Sequence, residues 1–410
     1  MSKPSGTIPA DYAGPDLRIG GRSVDALIVE AGDTPLFVYD LGIVRRRIAA
    51  FRAAFPSVHL HYAMKANPYP PLLARIAGLV EGLDVASIGE LERALAAGGA
   101  ARSISFAGPG KRDRELGAAI AAGVTINCES EGEAARAIAA GEGLGIRPRL
   151  AVRVNPDFEI RGSAMRMGGG ARPFGVDAER VPALVRTILA AGADWRGFHI
   201  FAGSQALSAD ALIEAQRAAL ALAAGLAEAS AAPPPLVNLG GGFGIPYFAG
   251  EMPLDTMAVG TALETQLATR PASLRDSIFA IELGRWLVGE AGVYLTRIVD
   301  RKVSHGKTFL VVDGGMHHQL AASGNFGQVV RRNYPVAIAS RYGAPETEEA
   351  SIVGCLCTPL DRLADDVMLP QAVPGDVVAV FQAGAYGLSA SPQAFLDQPA
   401  ALEMLADSGD

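Results

Sequence analysis

The sequence predicts a (β/α)8 barrel that carries a second, antiparallel β domain. Between residues 36 and 284, short strand-like runs alternate with helix-like runs, and eight strands can be counted. This alternation predicts a parallel sheet covered by helices, and eight units over this length match a typical barrel of ~250 residues. After Arg285 the strand-like runs are separated by turns instead of long helices, which is typical of antiparallel sheet. We therefore expect N-terminal strands at 1–35 that join the β domain, the barrel at 36–284 and the β domain at 285–410.

The predicted elements follow one another at regular spacing. Residues 17–21 and 26–30 predict short strands, and Asp40 is the expected N-cap of a helix that runs through Phe55. A loop rich in glycine and arginine is expected at 161–175. A doubly wound open sheet is the alternative arrangement of the same elements. The barrel strands are predicted at 58–66, 82–87, 103–109, 124–130, 149–156, 196–205, 236–245 and 277–285.

The composition limits the classes of partner. The chain has 36 Lys and Arg residues against 43 Asp and Glu residues, a formal net charge of −7, and no long basic run, which argues against nucleic-acid or membrane partners. The N-terminus has no apolar signal segment, and the most apolar run, 218–232, is short and contains Glu228, so we expect a cytoplasmic protein. Cys128, Cys355 and Cys357 cannot build a disulfide framework and lack zinc-site spacing, so no metal is expected.

Polar residues fall at the predicted carboxyl ends of the barrel strands, where the active sites of such barrels lie. A lysine in this position can form a Schiff base if its pKa is lowered, although a surface lysine that closes a strand gives the same pattern. The glycine run at 240–244 fits either a tight turn or a phosphate cradle. The residues at these strand ends are Lys65, Asp84, Ser87, His199, Ser204, Glu282 and Arg285.

Several motifs resemble those of the fold type III pyridoxal-phosphate decarboxylases, the diaminopimelate and ornithine decarboxylase family. In the barrel these are YAMKAN (62–67), DVASIGEL (84–91), RVNP (153–156), HIFAGSQ (199–205), NLGGGFG (238–244) and ELGR (282–285). In the β domain they are VDGGM (312–316), CTPLD (357–361) and GAYG (384–387). The resemblance covers residues 34–395 with its motifs in order. It implies an alanine racemase-like barrel with a C-terminal β domain, pyridoxal 5'-phosphate as cofactor, and a homodimer with shared active sites.

The resemblance also implies a role for each matching residue. Lys65 would form the Schiff base, His199 would stack on the cofactor ring, and Glu282 would keep the pyridine nitrogen protonated. Cys357 would reach the site of the neighbouring subunit and donate a proton to Cα. The further cofactor-binding residues would be Asp84, Ser204, Gly241, Gly242, Gly284, Arg285 and Tyr386, and the substrate-binding residues Arg285, Cys357, Thr358, Asp361 and Tyr386. Three residues also fit a purely structural role: His199 as a buried core histidine, Tyr386 as a packing residue, and Arg153 as part of an ion pair.

The resemblance implies decarboxylation of an amino acid, in the manner of diaminopimelate decarboxylases, through the Lys65 Schiff base and a quinonoid intermediate. Racemases of this fold type have an arginine in the position of Glu282. Three departures concern the substrate: Thr358 replaces the acid that follows the catalytic cysteine, Leu283 replaces a proline, and the stretch after Gly315 lacks an arginine and a tyrosine. A substrate tethered to a carrier protein is therefore the alternative, and a racemase or a non-enzymatic binding protein are the more distant ones.

Overall fold

The computed structural model describes residues 2–160, 165–166, 168–326, 328 and 330–407, with residues 165–166 described by their backbone. Part of the predicted loop at 161–175 therefore lies outside the described residues. The chain forms two compact units. The barrel unit comprises Ile48–Gly244 and Pro253–Gly284, and the β unit comprises Met1–Arg47, Ile245–Met252 and Arg285–Asp410.

The barrel unit contains eight parallel strands that close on themselves. Each strand pairs in parallel with the next, and β8 pairs with β1, which closes the barrel. The structure therefore confirms the predicted barrel and excludes the doubly wound open sheet. The strands are β1 (His59–Ala63), β2 (Gly82–Val85), β3 (Ile104–Phe106), β4 (Thr125–Cys128), β5 (Arg149–Asn155), β6 (Asp194–Ile200), β7 (Leu236–Asn238) and β8 (Ile278–Leu283).

The helices between these strands begin and end at residues whose side chains suit those positions. The hydroxyls of Ser87, Ser130 and Ser208 accept hydrogen bonds from backbone N–H groups in the first turns of their helices, which satisfies donors that lack a partner within the helix. The helices of this unit are Pro70–Ala77, Ile88–Ala96, Asp113–Ala122, Glu131–Leu144, Val181–Ala190, Ala209–Ser230 and Thr256–Ala268. The helix Leu41–Ala54 begins in the β unit and continues into the barrel unit, and Asp40 accepts from Ile43 N at 3.2 Å, as the N-cap prediction requires.

The β unit is a mixed sheet, and its strands are mainly antiparallel. Its long central strand, Gly292–Ser304, pairs antiparallel with three neighbours, Leu36–Asp40, Lys307–Val312 and Val377–Val380. Two pairings are parallel, which the purely antiparallel prediction missed: Lys307–Val312 with Glu348–Val353, and Leu36–Asp40 with Leu402–Ala406. Two further strands complete the sheet: Arg362–Leu369 beside Glu348–Val353, and Val336–Ile338 beside Val377–Val380.

Two N-terminal predictions differ from the structure. Leu36–Asp40, which was assigned to the barrel, belongs to the β unit, where all five of its residues are buried between two neighbouring strands. Residues 26–30 lie in the helix Val24–Ala31 and not in a strand, because Ser23 caps this helix by accepting from Ala26 N. Within the described ranges, no helix has the length and apolar character needed to cross a membrane.

Candidate active site

Lys65 lies in a short turn directly after β1, at the carboxyl end of the barrel strands. The turn Met64–Ala66 is a 3-10 helix in which Met64 and Ala66 are buried while the Lys65 side chain is exposed. Tyr62 stabilises the turn, because its hydroxyl donates to the Asn67 carbonyl oxygen at 2.8 Å. The Lys65 Nζ atom lies 5.7 Å from the centroid of the Phe201 ring, in the segment that follows β6. The amine is therefore presented to this end of the barrel.

Glu282 lies on β8 and its carboxylate is buried among polar groups. Asn238 Nδ2, at the end of β7, donates to Glu282 Oε2 at 3.2 Å, and His199 Nε2 lies 3.1 Å from the same oxygen. Burial alone would raise the pKa of Glu282, but His199 and, more weakly, Lys65 lower it to a net value below the ordinary carboxyl range. Glu282 is therefore a buried carboxylate that stays ionised.

His199 is buried near the end of β6, yet its ring nitrogens are not hydrogen-bonded. It is 3% exposed, and the 3.1 Å approach to Glu282 lacks hydrogen-bond geometry, so both nitrogens are without a hydrogen-bond partner among the described residues. A histidine kept for core packing alone would be expected to have its nitrogens satisfied, because buried polar atoms without partners are costly. This geometry favours the functional prediction for His199 over the core reading.

The loops after β6 and β7 lie side by side through their backbones. Ala206 N donates to Gly242 O at 2.8 Å, and Gly244 N donates to Ala206 O at 2.9 Å, which brings Ser204 close to the glycine run. A Cβ atom on Gly241 would lie 1.9 Å from the Glu282 carbonyl oxygen, and Gly242 has φ +91° with Gly203 O only 2.7 Å from a built Cβ. Only glycine fits at these two positions. Gly240 N and Gly244 N already donate to Asn238 Oδ1 and Ala206 O, so a phosphate at this loop would accept from the N–H groups between them, and its binding here stays a prediction.

Asp84 contacts two residues that the sequence analysis did not single out. Ser105 Oγ donates to Asp84 Oδ1, and His61 Nδ1 lies 3.5 Å from Asp84 Oδ2. Burial lowers the pKa of His61, but Asp84 outweighs it, so the net shift is upward. The alternation of His59 and His61 along β1 was the available signal, since alternate residues of a barrel strand point inward. The predicted cofactor contact of Asp84 stays a prediction.

Arg153 and Glu129 form a buried ion pair at the ends of neighbouring strands. Arg153 Nη1 donates to Glu129 Oε1 at 2.9 Å, and the same carboxylate accepts from Gly108 N at 2.6 Å and Gly175 N at 2.8 Å. The structure therefore shows Arg153 in the ion pair that was one of the roles open to it. Glu129 was missed because nothing in the residues around it marks which distant loops it joins.

In the β unit, Arg285 lies between two tyrosines. Its Nη1 donates to Tyr247 Oη at 2.9 Å, and its guanidinium carbon lies 4.7 Å from the centroid of the Tyr386 ring. Tyr386 has φ +54°, an uncommon backbone conformation for a residue with a side chain. Gly284, which precedes Arg285, belongs to the barrel unit and packs against Ala66 in the Lys65 turn. The Tyr386 ring therefore packs on the guanidinium group of Arg285 in a cation–π contact.

The segment that follows Val353 presents an exposed cysteine. Cys357 is exposed, whereas Asp361 is 2% exposed and accepts from Met316 N at 2.6 Å and Leu356 N at 2.8 Å. Asp361 was predicted to contact the substrate, but both of its carboxylate oxygens already accept hydrogen bonds from backbone N–H groups. Thr358 Oγ1 accepts from Leu360 N at 3.4 Å. Asp361 therefore shapes the Cys357 loop.

Comparisons with known proteins identify the family of this chain. The family model described as "Pyridoxal-dependent decarboxylase, pyridoxal binding domain" matches residues 41–289. The L-glutamyl-[BtrI acyl-carrier protein] decarboxylase of Niallia circulans is 37% identical over 92% of this chain and 90% of its own length. The chain belongs to the pyridoxal-dependent decarboxylases.

Other relatives of this decarboxylase agree in fold and reaction. The diaminopimelate decarboxylase of Archaeoglobus fulgidus is 32% identical over 96% of this chain and 92% of its own length. The crystal structure of the Helicobacter pylori diaminopimelate decarboxylase complexed with L-lysine matches with a TM-score of 0.82 and 26% identity, covering 93% of both chains. The enzyme is a pyridoxal-phosphate-dependent amino-acid decarboxylase, as the resemblance implied.

The residues of the barrel unit suit this cofactor. Pyridoxal phosphate needs an amine that can form an imine, an anion for the ring nitrogen and a cradle for the phosphate. Lys65 offers an exposed amine, Glu282 a buried ionised carboxylate, and Gly241 and Gly242 a stretch of backbone with no room for side chains. His199 Nδ1, which has no hydrogen-bond partner in the described part of the chain, is a further sign of a ligand site.

Proposed function

We propose that this enzyme decarboxylates an α-amino acid whose side-chain carbonyl is joined as a thioester to a carrier protein. The observation that carries the proposal is Thr358, which follows Cys357 where enzymes of the family that act on a distal ammonium have an acid. The carboxylate nearest in sequence, Asp361, is buried and has both oxygens engaged by backbone N–H groups. An ammonium at the far end of the substrate would therefore lack a carboxylate in this loop, whereas a neutral thioester needs none.

A second feature supports a substrate without a charged far end. The stretch after Gly315 reads Met316 to Ala322 without the arginine and tyrosine of diaminopimelate decarboxylases. The relative from Niallia circulans is named for a glutamyl group on an acyl-carrier protein. A glutamyl thioester has a free α-amine and α-carboxylate but no charge at its far end. It therefore fits an enzyme that lacks these residues for binding a charged far end. Free diaminopimelate is the second candidate, favoured by several relatives of that name.

In the proposed reaction, bound pyridoxal phosphate supplies the sink for the electrons left at Cα when the carboxylate leaves. Lys65 would hold the cofactor and yield it to the substrate amine. Glu282 would hold the proton on the pyridine nitrogen, since a buried anion raises the pKa of a neighbouring cation. His199 would cover one face of the ring. Ser204 and the N–H groups of residues 241–243 would hold the phosphate. Tyr386 and Arg285 stay predicted as further ligands of the phosphate.

We further propose that the enzyme is a homodimer and that Cys357 of one subunit returns the proton to Cα in the site of the other. The exposure of Cys357 supports this role, because a proton donor for another subunit must lie at the surface of its own. Isologous dimers repeat such an exchange twice, so each dimer would contain two shared sites.

The experiment is a direct comparison of CO2 release from different substrates by the enzyme with its cofactor. An L-glutamyl thioester on a purified carrier protein is expected to react with a kcat/KM at least ~100-fold above that of free diaminopimelate, because an uncompensated buried charge is rejected strongly. The same glutamyl group on a short pantetheine thioester separates recognition of the acyl group from recognition of the protein. Equal or faster turnover of diaminopimelate would refute the carrier-bound substrate and leave the decarboxylase assignment intact.

A further inference from the structure

The barrel unit contains a cavity of about 200 Å³ at the amino-terminal ends of its strands, lined by polar and apolar residues. Six of the residues that line it are the first residues of their strands, so its position is set by the barrel. They are His59, Ile104, Thr125, Arg149, Leu236 and Ile278. Along β5, Arg149 begins the strand and Asn155 ends it, a separation of roughly 20 Å at about 3.3 Å per residue. The cavity thus opens at the end of the barrel opposite Lys65.

Three arginines concentrate positive charge on this cavity. Arg149 is 8% exposed and lines the cavity together with Arg102 and Arg196. Burial, and next the nearby Arg196, lower the pKa of the Arg149 guanidinium. Arg149 Nη2 donates to the Arg102 carbonyl oxygen at 3.1 Å, but Arg149 Nε is buried without a hydrogen-bond partner among the described residues. A buried guanidinium with an unsatisfied N–H is costly unless something accepts from it.

The carboxylates near the cavity do not balance these arginines. Asp194 lies 3.9 Å from Arg149 Nη1 and 3.7 Å from Arg196 Nη1, so one carboxylate is shared loosely by two cations. Glu81 also lines the cavity, but it accepts from Leu60 N at 2.9 Å and from Arg52 Nη2 at 3.1 Å. An excess of positive charge therefore faces the cavity.

The remaining polar wall provides donors for an anion. Ser103, Ser105, Thr125 and Asn127 line the same space. Ser105 Oγ already donates to Asp84 Oδ1 and Asn127 Nδ2 to Ser105 Oγ, so the donors left for an anion are the hydroxyls of Ser103 and Thr125 and the second amide hydrogen of Asn127. A volume of 200 Å³ corresponds to about six or seven water molecules at ~30 Å³ each, which is enough for one tetrahedral oxyanion with part of its hydration. Guanidinium groups bind such oxyanions through paired N–H donors.

We propose that this cavity is a binding site for a small tetrahedral oxyanion of the phosphate class, held by Arg149, Arg196 and Arg102. The bound anion accepts from the guanidinium groups that line the cavity and relieves the repulsion among them. It thereby stabilises the barrel from the end opposite the catalytic residues. The site is separate from the 240–244 loop, which follows the carboxyl end of β7.

The test uses the enzyme with its cofactor bound, so that the cofactor's own phosphate site is filled. Inorganic phosphate is titrated at constant ionic strength against sodium chloride while the melting temperature and the cofactor absorbance are recorded. We expect a saturable rise in melting temperature with unchanged absorbance, because a ligand that binds only the folded state stabilises it. Sulfate is expected to raise the melting temperature as phosphate does, and succinate to raise it only weakly. A larger rise with succinate than with phosphate would show that the cavity prefers carboxylates, which contradicts a site for tetrahedral oxyanions.

Variants locate the effect. Arg196→Gln and Arg102→Gln are each expected to raise the apparent dissociation constant for phosphate at least tenfold, and Arg149→Gln to abolish the saturable rise. Arg149 is buried, and its variant could fail to fold. The variants of the more accessible Arg196 and Arg102 are therefore sufficient to test the proposal without it. Arg217→Gln, an exposed position on the helix Ala209–Ser230, removes the same charge and should leave phosphate binding unchanged. The proposal would be overturned if phosphate gave no saturable rise in melting temperature, or if the rise came with loss of cofactor. It would also be overturned if Arg196→Gln and Arg102→Gln responded to phosphate as the wild type does.

Discussion

Replacing Glu282 by glutamine tests the central electrostatic feature of the active site. The substitution keeps the size of the side chain and the hydrogen bond from Asn238, which lies 3.2 Å away, but it removes the negative charge. The pKa of Glu282 is lowered in the folded protein, so its carboxylate gains a proton only when the pH falls below the usual carboxyl range of about 4. The wild-type residue is therefore charged at every pH at which the enzyme would be assayed.

The expected magnitude follows from the geometry around this carboxylate. A cation at the 3.1 Å separation seen between Glu282 Oε2 and His199 Nε2 interacts with it by about 5 kcal/mol at an effective dielectric constant of ~20. A neutral amide retains part of this interaction as a hydrogen bond, so the net loss should be about 3–5 kcal/mol. If the charge acts mainly in the transition state, kcat should fall by roughly 10²- to 10⁴-fold.

The assay measures CO2 release together with cofactor content from visible absorbance. Glu282→Gln should retain the cofactor, since Lys65 and the 240–244 loop are untouched, and should lose turnover. Glu92→Gln, on the exposed side of the helix Ile88–Ala96, is the matched control and should behave as wild type. A Glu282→Gln rate within threefold of wild type, with full cofactor content, would show that the charge of Glu282 has no part in the reaction.

Four further predictions concern the cofactor, the loop, the substrate and the assembly. Borohydride treatment should attach the cofactor covalently to Lys65, and peptide mapping that finds the label on another lysine would contradict its assignment. Gly241→Ala should weaken cofactor binding and destabilise the enzyme by about 2–4 kcal/mol in denaturant unfolding, because its Cβ would lie 1.9 Å from the Glu282 carbonyl oxygen; a normal unfolding curve would argue against this packing. Thr358→Glu should improve kcat/KM for diaminopimelate by about 10- to 150-fold, through a charge-assisted hydrogen bond worth ~1.5–3 kcal/mol, and an unchanged value would remove the specificity argument. Mixing inactive Lys65→Ala and Cys357→Ala subunits should recover about a quarter of wild-type activity, since half of the dimers are mixed and half of their sites are whole, whereas no recovery despite proven subunit exchange would place Cys357 outside a shared site.

The positions of residues in the barrel could be predicted best where one strand end carries one residue, whereas the roles of these residues stay predictions. Lys65, His199 and Glu282 each follow or end a strand whose pattern is clear, and all three lie at the carboxyl end of the barrel. Pairings between strands were harder to anticipate. The contacts of Asp84 with His61 and of Asn238 with Glu282 join neighbouring strands, and their existence depends on which residues the barrel register places side by side.

The sequence by itself determined the order and type of the barrel elements and the identity of the residues at the strand ends. Those features are local, because the periodicity of apolar residues and the caps of helices depend only on near neighbours along the chain. The tertiary structure alone decided that Leu36–Asp40 pairs within the β unit and that Asp361 holds the Cys357 loop through backbone N–H groups. It also decided that Arg149, Arg196 and Arg102 line one cavity. These contacts join segments far apart in the chain, and their partners follow from packing and hydrogen-bond satisfaction in three dimensions, which no local pattern encodes.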